Sequence, residues 1–111
     1  WIMSKARVIS GYGETGSYKQ VTVTSNITMT AYTNYYVDTT SVARTLTLPA
    51  TATNGDEIHV FDIGNNSSQY NITIASNSGK INGTVQDLAI DVNGAAVVLI
   101  YTGSLYGWRA G

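Results

Sequence analysis

Leu88-Ala89-Ile90-Asp91-Val92-Asn93-Gly94-Ala95-Ala96-Val97-Val98-Leu99-Ile100-Tyr101 is the stretch that decides the fold class. Its first part alternates: Leu88, Ile90 and Val92 fall on one side, Ala89 and Asp91 on the other, the period of a strand with one buried face. Asn93-Gly94 comes next, and this pair readily supplies the positive φ that both central residues of a type I′ turn require. The spacing predicts a β-hairpin turning at Asn93-Gly94. The run at 96–100 is continuously apolar and reads as the central core strand.

The same period recurs on both sides of this segment. Residues 56–63 set Ile58 and Val60 against His59, Phe61 and Ile63, so both faces carry apolar groups. That pattern points to the centre of a sheet or to a subunit contact. Shorter alternating runs lie at 19–24 (Val21, Val23), 26–30 (Ile27, Met29), 44–48 (Leu46, Leu48) and 71–75 (Ile72, Ile74). An aromatic strand is expected at 34–38 and a terminal one at 105–109. Pro49 ends its run or marks an edge. Turn signals separate the runs: Asn54-Gly55, the loop 64–68, Asn77-Ser78-Gly79, Lys80-Ile81-Asn82-Gly83 and Gly103-Ser104. No repeat of fixed period is found. The expectation is an all-β fold, an antiparallel β-sandwich or small open barrel of roughly nine to ten short strands with no substantial helix.

Composition agrees and excludes several functions. Thr, Ser, Asn and Gly make up about 40% of the 111 residues, while strong helix formers are scarce. Only 12% of residues are charged and the formal net charge is -1, which speaks against a nucleic-acid footprint. The absence of Cys excludes disulfides and thiolate metal sites, and one His excludes a multi-histidine site within one chain. No apolar run reaches the length that spans a membrane as a helix. Residue 1 is Trp, so the chain reads as a fragment or a processed product. Residues 1–17 hold a weak strand and the Gly-rich stretch 10–17, read as a linker or stem, ahead of a domain at 18–111.

No constellation of catalytic type stands out. Five Asp and two Glu are spread along the chain, mostly beside turn residues, and none forms the carboxylate pair of a glycosidase. His59 lacks a nucleophile elbow and reads first as a strand His bonded to a neighbour; in a trimer, three copies could meet on the axis. Gly11-Tyr12-Gly13-Glu14-Thr15-Gly16 matches a nucleotide-binding spacing but neither follows a buried strand nor opens a helix. The expectation is a protein that is not an enzyme and needs no metal or other cofactor. The aromatic residues are more suggestive. Tyr101, Tyr106 and Trp108 lie near the C-terminus, with Tyr35 and Tyr36 near the middle. Aromatic faces among Asn, Thr and Asp suit sugar stacking, while the plainer reading packs these rings in the sandwich edge or a subunit contact. On the first reading, Trp108→Ala removes glycan binding and keeps the fold.

The order of segments from Asn34 onward carries a resemblance. Its pieces are Tyr35-Tyr36-Val37-Asp38, Arg44-Thr45-Leu46-Thr47-Leu48-Pro49, Asn54-Gly55-Asp56-Glu57-Ile58, Phe61-Asp62-Ile63 and Asn71-Ile72-Thr73-Ile74. They continue through Ile81, Gly83, Leu88, Ile90, Asp91, Ala95, Leu99, Tyr101, Gly107 and Trp108. This succession resembles a β-rich module of tail fibres and baseplate-associated structural proteins of tailed bacteriophages. The resemblance implies a virion structural domain in an extracellular particle, a homotrimer that joins other tail or baseplate proteins and helps attach to host-surface polysaccharide. It implies neither nucleic-acid binding nor membrane insertion. The alternative is an independent carbohydrate-binding module with no assembly role.

Overall fold

The computed structural model describes residues 18–111. The expected strand and linker or stem within 1–17 lie outside the described residues. Nine strands and no helix occur among them: β1 (Lys19–Val23), β2 (Ile27–Thr28), β3 (Thr33–Val37), β4 (Arg44–Thr47), β5 (Glu57–Asp62), β6 (Ile72–Ala75), β7 (Leu88–Ile90), β8 (Ala96–Tyr101) and β9 (Trp108–Ala110). They form a five-stranded sheet, β1-β3-β5-β8-β9, and a four-stranded sheet, β2-β4-β6-β7. Neither sheet closes into a barrel.

The all-β expectation holds, but the sheets are mixed rather than antiparallel. β1, β3 and β5 pair in parallel, as do β2, β4 and β6. Only β5–β8, β8–β9 and β6–β7 are antiparallel. The cause lies in the connections. Up to β6 the chain gives each successive strand to the opposite sheet, so it advances as stacked coils: β1 and β2, then β3 and β4, then β5 and β6. Each strand then lies parallel to the one in the coil before it. Lys19 aligns with Thr33, and Thr33 with Ile58, so the coils advance 14 and then 25 residues. That inequality leaves no fixed period in the sequence.

One core fills the space between the sheets. The inward rows follow the register: Val21, Tyr35, Val60 and Val97 on one sheet, Ile27, Leu46, Ile74 and Leu88 on the other. Met29, Leu48 and Ile81 lie just outside the strands and are also fully buried. β5 is central in the five-stranded sheet, as its two-sided apolar pattern suggested. β8 is not central, lying between β5 and β9, and its outward Val98 and Ile100 are 38% and 37% exposed.

The expected hairpin at Asn93-Gly94 is absent. β7 pairs with β6 and β8 with β5, so the chain crosses between sheets here. Gly94 has φ 74° but Asn93 is not among the residues of positive φ, which rules out type I′ geometry. Side-chain bonds hold the corner instead: Asn93 Oδ1 accepts the Ser68 amide and Asp62 Oδ2 accepts the Gly94 amide. A type I′ turn does occur at Asn82-Gly83, with φ of 55° and 88° and paired bonds between Ile81 and Thr84.

Asp62 ties the loops together where the parallel coils end. It is 5% exposed and accepts from Thr39 Oγ1 at 2.5 Å, the Ser67 and Gly94 amides at 3.0 Å each, and the Asn65 amide at 3.1 Å. Gly64 is required beside it, because a Cβ there would lie 2.4 Å from the Thr39 nitrogen. Burial works to raise the Asp62 pKa, but the bonds from Thr39, Gly94 and Ser67 prevail and hold it below the ordinary value. Its contribution to stability is therefore present above the unfolded-state pKa, about 3.9, and is lost as pH falls through the lower folded-state value. Asp62→Asn is expected to cost about 2–4 kcal/mol near neutral pH, because buried donors lose a charged acceptor. In urea unfolding, the gap between wild type and variant should narrow as the pH is lowered past about 4. A gap unchanged across that range contradicts this role.

Candidate functional site

The five aromatic residues singled out in the sequence fall into four places. Tyr35 is a core residue, 3% exposed, whose hydroxyl accepts the Thr30 amide at 2.7 Å. Tyr36 points the opposite way and stacks on Phe61, with ring centroids 5.4 Å apart, on the outer face of the five-stranded sheet. Tyr101 and Trp108 are cross-strand partners on β8 and β9 and meet edge to face at 5.3 Å. Tyr106 stands apart in the turn before β9, 59% exposed. The C-terminal trio is thus a pair plus one isolated ring.

Trp108 is 3% exposed and belongs to the core. Truncating it cannot remove a surface contact while sparing the fold, because the indole is part of the core packing. Its amide donates to Lys80 O at 2.9 Å and its carbonyl accepts the Asn82 amide at 2.7 Å. Gly107 permits this approach: its φ is 76°, and a Cβ there would sit 2.3 Å from Lys80 O.

Tyr101 and Trp108 both line a surface cleft of about 280 Å³. Its walls come from residues 49–52, from the turn at 76–80 and from the segment around Ser104 and Gly107. The polar lining is Ser76, Asn77, Ser78, Lys80 and Ser104. Two of these are fixed by their own bonds: Asn77 Nδ2 donates to Leu48 O at 2.9 Å, and Lys80 Nζ donates to Leu105 O at 3.0 Å. Asn77 and Ser78 both have positive φ, 55° and 67°, and the Gly79 amide closes the turn on Ser76 O at 3.1 Å. Sequence reading registered 77–83 as turns only. What brings Lys80 and Asn77 beside the aromatic pair is the pairing of residue 81 with Trp108, which no local pattern announces.

The outer face of the five-stranded sheet is the second feature. His59 lies opposite Asn34 and Val98 on this face. Its Nε2 is 2.7 Å from Glu57 Oε1, which also accepts from the Tyr18 hydroxyl at 2.6 Å. Rings follow one another across the face: Tyr32 to Tyr18 at 5.8 Å, Tyr18 to His59 at 4.8 Å, His59 to Phe61 at 6.3 Å and Phe61 to Tyr36 at 5.4 Å. Tyr36 also bonds Gln20 through its hydroxyl. The neighbour-bonded reading of His59 matches this geometry. Among the described residues, no group of three or more His, Cys, Asp or Glu side chains could hold a metal ion.

Comparison with protein-family models and with curated protein sequences returned no match.

Trp108→Ala is expected to cost about 3–5 kcal/mol in urea unfolding, the usual range for a truncated core aromatic. A loss under about 1 kcal/mol would contradict its place in the core.

Proposed function

We propose that this chain is a non-catalytic structural module of a viral attachment fibre or baseplate, one that assembles with copies of itself as a trimer and contributes to host-surface attachment. The observation that carries the reading is the difference between the two outer sheet faces. The four-stranded sheet turns Thr28, Thr45, Thr47 and Thr73 outward, a polar surface that water satisfies. The five-stranded sheet turns out Tyr36, Phe61, Ala96, Val98 and Ile100 among the polar Gln20, Asn34, Glu57, His59 and Arg109. Apolar side chains grouped on an exposed face in this way mark an interaction surface.

One detail favours a second copy as its cover. Charges of both signs flank the apolar centre, with Glu57 and Arg109 aligned on either side of Ile100, so the acidic flank of one copy can meet the basic flank of the next, the head-to-tail contact that closes a trimer. The resemblance of the segment order to phage fibre modules supports the viral setting, where the protein would sit in the extracellular particle among other tail or baseplate proteins.

A second reading, saccharide binding, rests on the cleft. Tyr101, backed by the buried Trp108 and set beside Asn, Ser and Lys, gives the composition that sugar stacking and hydroxyl recognition use. The two readings occupy different surfaces and are compatible in one chain.

Light scattering after size exclusion is expected to give the mass of three chains, and Ile100→Lys to reduce it to one while the far-ultraviolet spectrum stays unchanged. A wild-type mass of one chain, or a trimer indifferent to Ile100→Lys, contradicts assembly through this face.

A further inference from the structure

We propose that the cleft beside Tyr101 and Trp108 takes an acidic saccharide, a sugar carrying a carboxylate, with Lys80 as the group that reads the charge. The inference rests on the saccharide reading above and adds the ligand's chemistry.

The charge balance of the cleft is one-sided. Its lining includes one charged side chain, Lys80, and no carboxylate. The nearby Asp87 is not part of the lining and accepts the Ser76 amide at 2.9 Å. A neutral sugar would leave the ammonium group as a spectator, whereas a carboxylate would gain a charge-assisted hydrogen bond.

Lys80 is also held ready. Its backbone carbonyl is fixed by the Trp108 amide at 2.9 Å, and the absence of a side chain at Gly107 lets the two segments close on each other. Its ammonium group is anchored on Leu105 O at 3.0 Å, which occupies one of three hydrogens. The remaining donors are free for a ligand, and part of the entropy of ordering a long side chain is already lost in the unbound protein. The same cleft is lined by Tyr101, backed by the buried Trp108, which can meet the sugar ring, and by Ser76, Ser78 and Ser104, polar residues for sugar oxygens.

The test is a nuclear magnetic resonance titration with two probes that share the sugar chain and differ in whether the carboxyl groups are charged or capped: an α-1,4-linked tetragalacturonate and its methyl ester. The free acid is expected to shift the amides of residues 76–80 and the Trp108 indole resonance, and to bind at least about tenfold more tightly than the ester. Its affinity should fall with rising salt. Lys80→Met should abolish the preference for the acid and Lys80→Arg should retain it, with thermal unfolding followed for each variant to establish that the fold is kept. Equal affinity for acid and ester, with shifts in the cleft, overturns the charge assignment and leaves the saccharide reading standing. Shifts that map elsewhere, or no shifts with either probe, overturn both.

Discussion

Parallel strands cannot be joined by a tight turn, and that constraint shapes the molecule. A parallel neighbour is reached only after the chain has travelled back to the starting end of the sheet. Here the return path is itself a strand of a second sheet, so each crossover also builds the opposite wall of the core. β3 reaches β5 through β4, and β4 reaches β6 through β5. The two sheets cannot form separately, because each supplies the connections of the other.

Such a stack must also be ended. After β6 the chain stops alternating and folds back, with β7 antiparallel on β6, β8 antiparallel on β5 and β9 antiparallel on β8. The reversal brings loops from three regions against the end of β5, and buried backbone amides there need acceptors. Asp62 supplies them to Asn65, Ser67 and Gly94 from one carboxylate. A single charge buried among donors in this way fixes the path of the chain between sheets at the point where the Asn93-Gly94 pair alone would have favoured a hairpin.

Much of the secondary structure was legible because alternation survives in any half-buried strand, whatever its partner. Ile58 and Val60, Ile72 and Ile74, and Leu46 all face the core as their spacing required. Pairing was not legible. Parallel or antiparallel direction depends on which sheet the next strand enters, and residues 28–33 and 47–57 carry no local mark of it. Unequal coils hid the repetition as well. The aromatic residues show the same limit: Tyr35 and Tyr36 are neighbours in sequence, yet strand geometry sends one to the core and the other to the outer face. The cleft was only half visible, its aromatic wall apparent in the C-terminal segment and its Lys80 and Asn77 hidden in what read as turns.

The surfaces divide along these architectural lines. The four-stranded sheet turns threonines outward, the five-stranded sheet turns out the rings and aliphatic side chains proposed as the contact with another copy, and the cleft at the β8–β9 end is lined by Lys80, Tyr101 and Trp108. They follow from the parallel coil and from the antiparallel strands β7 to β9 that end it, which together decide what each strand turns outward. The most direct test of this architecture is the pattern of interstrand nuclear Overhauser effects. The structure predicts contacts of the parallel type between Tyr35 and Val60 and between Leu46 and Ile74, with none pairing β7 to β8 across Asn93-Gly94. Close Hα–Hα contacts between β7 and β8, the mark of an antiparallel hairpin, would contradict the account.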